Sequence, residues 1–262
     1  MAFFNSNGVD LYYRDEGSGD PLIFLHGFTL DNRQWDNQAV YFRGDYRVIL
    51  PDARGHGKSD APETAYARED RAADLLNLMD HLALEKAHVI GASMGGADAF
   101  SLALDHPERF RSLTLVGTTL AGWRPARRFI DNLMLEKGYS IDRIKEEFIK
   151  SVLVKYKDRN QKLHDRLGDI MKDFSGKPWA DPNKGKYPVR EELPLAGRIG
   201  IPVCLIIGKH DIMFMPLAEE LDRRLPDSRL EVIPDAGHLV NMDMPQRFNA
   251  VLSGFLESQS KK

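Results

Sequence analysis

The chain has 262 residues, 42% of them hydrophobic and 29% charged, and a formal net charge of -3 from 36 Lys/Arg and 39 Asp/Glu. This is the composition of an ordinary globular protein at a length that one α/β core can absorb, and the near-balanced charge gives no electrostatic case for a nucleic-acid partner or an anionic membrane surface. No apolar run approaches the roughly 18 residues needed to cross a bilayer, and Met1-Ala2-Phe3-Phe4-Asn5 lacks the basic and apolar segments of a secretory signal, so the expectation is a soluble cytoplasmic monomer or homodimer.

In chain order, Ala2 to Asn5 and Val9 to Asp15 read as an antiparallel pair joined by the Asn7-Gly8 turn, and Gly17-Ser18-Gly19 supplies the next turn. Short apolar runs then alternate with longer amphipathic ones. The runs are Leu22 to Leu25, Arg47 to Leu50, His88 to Ile90, Leu113 to Val116, Val203 to Ile207 and Leu230 to Ile233. Near-continuous apolar strands of this length suit a parallel sheet covered on both faces. Arg68 to Leu82, Met94 to Asp105, Met215 to Leu225 and Pro245 to Phe255 read as helices, and the alternation predicts a doubly wound α/β sheet. The single cysteine, Cys204, excludes an internal disulfide or a cysteine metal cluster, and its apolar strand predicts an inert core thiol.

The stretch from 120 to 196 breaks the rhythm. It carries helical patterning (Phe129 to Lys137, Ile141 to Tyr156, Leu163 to Phe174) followed by a segment rich in proline and glycine, and it is net basic. An insertion of this length after the sixth strand predicts a helical cap, or lid, over a core made of 1–119 and 197–262. Its basic charge is that of solvated helix faces, or of a lid that attracts an acidic substrate.

Gly91-Ala92-Ser93-Met94-Gly95-Gly96 follows an apolar strand and opens a helix, which is the setting that a G-x-S-x-G nucleophile turn requires. Such a turn projects the Ser93 hydroxyl at the head of the helix, where the dipole favours developing negative charge. Serine needs an adjacent base. Of the eight histidines, His238 lies just after the last strand, at the carboxyl edge where open α/β sheets build their sites, whereas His210 competes from beside Asp211. Asp211 follows its strand directly and is the expected orienting acid, and Asp235 is the alternative. The order Ser93, Asp211, His238 differs from that of chymotrypsin and subtilisin. Backbone N–H groups of Phe28, after the His26-Gly27 turn, and of Met94 are the candidate oxyanion-hole donors; His26 itself is expected to shape its loop.

These motifs, with Asp52-Ala53-Arg54-Gly55-His56-Gly57-Lys58-Ser59, resemble those of the α/β-hydrolase family. The resemblance implies an eight-stranded, mostly parallel sheet flanked by helices with a helical cap over the site, and makes the Asp52 to Ser59 segment a structural turn. Within the family the likeness runs to carboxylesterases, enol-lactone hydrolases and C–C bond hydrolases. Asp98 departs from the pattern at a helix position usually apolar, and Asp243 stands where a glutamate is common.

Serine as nucleophile directs the chemistry to a carbonyl, because attack at a saturated carbon would leave an ether that water does not cleave. Neither a P-loop nor G-x-G-x-x-G is present in the sequence, so no cofactor is expected. The expectation is a carboxylic ester hydrolase acting on a small-molecule ester or lactone through an acyl-enzyme. Alternatives are a C–C hydrolase of dienone diacids, a cofactor-free perhydrolase, and a ligand receptor that keeps a slow triad.

Overall fold

The computed structural model describes residues 2–123, 138–153 and 161–259, with no side-chain description for 150–153. Each apolar run becomes a strand: β1 (Ala2–Ser6), β2 (Val9–Gly17), β3 (Asp20–Leu25), β4 (Tyr46–Pro51), β5 (Ala87–Ala92), β6 (Phe110–Val116), β7 (Val203–Gly208) and β8 (Ser228–Ile233). They pair in the order β1-β2-β4-β3-β5-β6-β7-β8. β1 with β2 and β2 with β4 run antiparallel, and every pairing from β4 onward is parallel. This is the eight-stranded, mostly parallel α/β sheet anticipated from the residue pattern and the resemblance.

Alternation along the strands divides the core into two layers. Ile23, Ile49, Val89, Leu113, Leu115 and Leu205 join one buried cluster, while Leu22, Phe24, Val48, Leu50, Ile90, Val116, Cys204 and Ile206 join the other. Because both faces are covered, both halves of the period-2 pattern must be apolar, and the strands read as continuous runs. Helices α2 (Arg68–His81) and α3 (Met94–Asp105), with Met215–Arg224, cover the first layer; α1 (Asp36–Phe42) and Pro245–Gln259 cover the second. α1 has no counterpart in the sequence reading. It is seven residues long and buries Gln38 beside Ala39 and Phe42, too short and too polar to show a 3.6-residue period. No helix among the described residues is long and apolar enough to cross a membrane.

Between β6 and β7 the chain forms the helices Ile141–Leu153, Gln161–Lys172 and Lys177–Ala180 and a 3₁₀ turn at Leu193–Arg198. The expected helix Phe129 to Lys137 lies outside the described residues. Leu163, Leu167, Ile170 and Met171 pack on Leu30 and Leu239, and Ile144, Phe174 and Trp179 pack with Phe28. Those partners lie on the loops after β3 and after β8. Polar ties reinforce the packing. Arg33 donates from Nη2 to Asp173 at 2.6 Å and to the Ile170 carbonyl at 3.2 Å, and buried Glu192 accepts from Arg68 at 2.8 Å, from the Ala121 amide at 3.1 Å and from the Ser101 hydroxyl.

The strand order reverses between β3 and β5: from β3 the chain goes out to β4 on one side, and β5 lies on the other. A crevice opens at such a switch point beyond the carboxyl ends of the strands, and it is here that His26-Gly27-Phe28 and Ser93 leave the sheet.

Candidate active site

Ser93 occupies the single residue between β5 and α3, with φ 48° and ψ -107°. That backbone is strained for a residue with a Cβ, and the surroundings hold it there. The Ser93 N–H donates to the Val116 carbonyl at 2.9 Å and the Gly95 N–H to the His26 carbonyl at 3.2 Å. Gly95 must be glycine because a Cβ would lie 2.6–2.7 Å from Leu25 atoms. The turn therefore depends on α3 coming close against the end of β3, and the helix start behind Ser93 follows from that approach.

Asp211 and His238 meet at the neighbouring strand ends. Asp211 is nearly buried (5% exposed) in the turn after β7, where its Oδ1 accepts from the Phe214 amide at 3.4 Å and its Oδ2 lies 2.7 Å from His238 Nδ1. A carboxylate only accepts, so Nδ1 carries a proton, an arrangement that in the neutral imidazole leaves the lone pair at Nε2. Phe214 stacks on the imidazole, with centroids 4.8 Å apart and planes at 24°. The Gly237 amide donates to Asp243 Oδ2 at 3.1 Å and steadies the loop from its other side. Asp243, singled out in the sequence only as a departure, thus anchors the residue before the histidine. Asp235 points elsewhere, its side chain 66% exposed and 3.9 Å from Arg247.

Gly117 joins the two halves of the site. It follows Val116, which receives the Ser93 amide, and a Cβ on it would lie 3.1 Å from both Asp211 Oδ2 and His238 Nδ1. The serine turn and the Asp211–His238 pair therefore flank one strand end, β6. Sequence reasoning missed Gly117, Phe214 and Gln34. Their importance comes from what approaches them across the sheet, and no local pattern marks it.

The loop after β3 is equally ordered. His26 is buried, its Nδ1 donating to the Gly27 carbonyl at 2.8 Å and its Nε2 accepting the Ala53 amide at 2.9 Å. Both ring nitrogens are engaged with backbone, which gives this histidine a loop-shaping part. Gln34 Oε1 accepts the Gly27 amide at 2.7 Å, and its Nε2 donates to Asn241 Oδ1 at 3.3 Å, three residues beyond His238. The amides of Gly27, Leu30, Ser93 and Gly95 are committed. Those of Phe28 and Met94, the two expected donors, have no acceptor among the described residues.

Two buried carboxylates near this rim, Asp52 and Asp98, are paired within the fold. Asp52 is fully buried and accepts from Asn32 N at 2.7 Å, Asn32 Nδ2 at 2.6 Å and Lys58 N at 2.9 Å; burial pushes its pKa up. Asp98 forms a two-pronged pair with Arg71, each contact 2.9 Å, so the polar residue that breaks the apolar pattern of α3 has its partner on α2. Cys204 is fully buried, and burial pushes its thiol up to about 12, which removes it as a nucleophile.

A family model described as the alpha/beta hydrolase fold matches residues 20–148. A Bacillus subtilis (strain 168) protein, provisionally named 2-succinyl-6-hydroxy-2,4-cyclohexadiene-1-carboxylate synthase, is 30% identical over 97% of each chain. The chain belongs to the α/β-hydrolase family. This α/β-hydrolase is also 28% identical to 3-oxoadipate enol-lactonase 1 of Acinetobacter baylyi, over 97% of this chain and 96% of the relative. A solved thermophilic esterase from Thermogutta terrifontis superposes with a TM-score of 0.83 at 26% identity, covering 98% of this α/β-hydrolase and 97% of the esterase.

Proposed function

We propose that this hydrolase cleaves small carboxylic esters or lactones through an acyl-enzyme on Ser93. The observation that carries the reading is the 2.7 Å bond from His238 to buried Asp211 at the same strand end as the strained Ser93 turn. With Nδ1–H held by the carboxylate, His238 Nε2 accepts the Ser93 proton as Oγ bonds to the carbonyl carbon. The carbonyl oxygen becomes an oxyanion held by the Phe28 and Met94 amides. Collapse breaks the C–O bond, and His238 returns its proton to the departing alcohol. His238 next deprotonates a water that attacks the acyl carbon, releasing the carboxylic acid and restoring the Ser93 hydroxyl. In a lactone the freed hydroxyl stays joined to the acyl group through the former ring carbons, so the water step releases a single hydroxy acid.

In this reading residues 120–196 act as a cap that selects the substrate, its helices packed over the loops that carry Phe28 and His238. The enol-lactonase and esterase similarities support the ester and lactone class. The test is a panel of p-nitrophenyl esters, lactones and acidic dienones with wild type and Ser93→Ala. Turnover of an ester or lactone that vanishes in the variant is the expected result. A preference for the dienones would move the assignment to C–C hydrolysis. A trapped adduct after one turnover would make the protein a receptor.

A further inference from the structure

The ring of Phe28 sits in an aromatic clamp built by the segment between β6 and β7. Its centroid is 5.5 Å from that of Phe174 and 5.7 Å from that of Trp179, at interplanar angles of 69° and 73°. Phe174 and Trp179 contact each other edge to face at 4.9 Å. His56 joins the cluster, 5.6 Å from Phe28 and 4.8 Å from Phe174. Edge-to-face pairs fix ring orientation as well as distance, so three such neighbours leave the Phe28 ring little freedom to turn.

The clamp is itself anchored. The Ser175 amide and hydroxyl both donate to the Gly55 carbonyl, at 3.3 Å and 2.7 Å, which holds residues 174–179 against the turn carrying His56. Behind Phe28, the Gly27 amide is tied to Gln34 and the Leu30 amide to the Gly27 carbonyl. The backbone of residue 28 is thus restrained from the core side through its neighbours and from the other side through its own ring. Its N–H has no acceptor among the described residues.

We propose that Phe174 and Trp179 are positioning residues for oxyanion stabilisation: by holding the Phe28 ring they aim the Phe28 N–H at the developing charge. The proposal rests on the acyl-enzyme reading above. It makes the segment between β6 and β7 a contributor to the rate of the chemical step as well as a wall for substrate, because preorganised donors work only when held at the position the oxyanion will take.

The test uses the full chain with Phe174→Leu, Trp179→Leu and Trp179→Phe, each alone and the first two combined with Phe28→Leu. The measurements are kcat and KM for p-nitrophenyl acetate and inhibition by phenylboronic acid, whose serine adduct carries the tetrahedral charge. The Leu variants are expected to lower kcat about tenfold, less than the 10²–10³ for deleting a donor outright, with KM within about twofold. Boronic-acid affinity falls in parallel, and Trp179→Phe recovers most of both. Combining with Phe28→Leu adds little further loss, since the clamp acts through that ring. A raised KM with unchanged kcat and boronic-acid affinity, or fully additive losses, overturns the proposal. If Trp179→Leu does not fold, Phe174→Leu and Trp179→Phe decide it by the same readouts. Failure of the underlying reading is separate: wild type would then not hydrolyse the ester, or Ser93→Ala would retain activity.

Discussion

Gly117 presses against His238 so closely that one added methyl group would lie 3.1 Å from the imidazole Nδ1 and 3.1 Å from Asp211 Oδ2, the two atoms of the orienting hydrogen bond. Its φ of +49° is also in the region that disfavours other residues. Gly117→Ala is therefore expected to push the Asp211–His238 pair by a fraction of an ångström and to lower kcat by about tenfold, less than the roughly 10²-fold lost for a full ångström of misplacement. Stopped-flow acylation of a p-nitrophenyl ester is the measurement; wild-type rates in the variant would show that the imidazole has slack.

Asp211→Asn keeps the size of the buried side chain but offers His238 Nδ1 an amide in place of a carboxylate. The wrong imidazole tautomer then becomes accessible, and kcat should fall by up to about 10⁴-fold. Asp235→Asn, at an exposed position near Arg247, should leave kcat within about twofold. Steady-state kinetics on both variants distinguishes them, and a reversed ranking would reassign the acid.

The Arg71–Asp98 pair predicts non-additive stability. Asp98→Leu leaves a largely buried guanidinium without its carboxylate, a change that costs about 3–5 kcal/mol and lowers Tm by roughly 10 °C in a chain of this size. Removing the arginine as well, in Arg71→Met/Asp98→Leu, should restore most of that loss. Thermal denaturation of the two singles and the double checks it, and equal, additive losses would argue against a mutually dependent pair.

His88 predicts a pH dependence of stability. It is buried on β5 with Nδ1 2.7 Å from Ser112 Oγ, and burial lowers its pKa from 6.5 to about 4. Between those values the unfolded chain binds a proton that the folded chain does not. The contribution is therefore fully present above pH 6.5 and is lost as pH falls toward 4, by at most about 3 kcal/mol. His56, whose pKa burial lowers well below 6.5, acts in the same direction. His88→Gln should flatten the fall in Tm between pH 7 and pH 4.5, and an unchanged slope would place the acid sensitivity elsewhere.

Residues adjacent in sequence determined the parts of this protein that local geometry controls. The strands are apolar on both faces because both are covered, so Val48-Ile49-Leu50 and Val203 to Ile207 announce a parallel sheet without help from their neighbours. The Ser93 turn was legible for the same reason: its glycines, preceding strand and following helix form one continuous segment. The Asp211 and His238 positions could be read from their places just after strands, since a parallel sheet sends every strand end to one rim.

Tertiary structure decided what depends on approach between distant segments. Asp98 looks misplaced on α3 until Arg71 arrives from α2, and Gly117 looks like any turn glycine until His238 closes on it. α1 forms where Gln38 finds Asn241 and Asn249, polar contacts that leave no hydrophobic period. The sequence offers Phe28 for its amide and says nothing of its ring, which packs against Phe174 and Trp179, about 150 residues further along. Such contacts are set by the shape of packed surfaces, and a linear pattern of residue types does not encode which surfaces will meet.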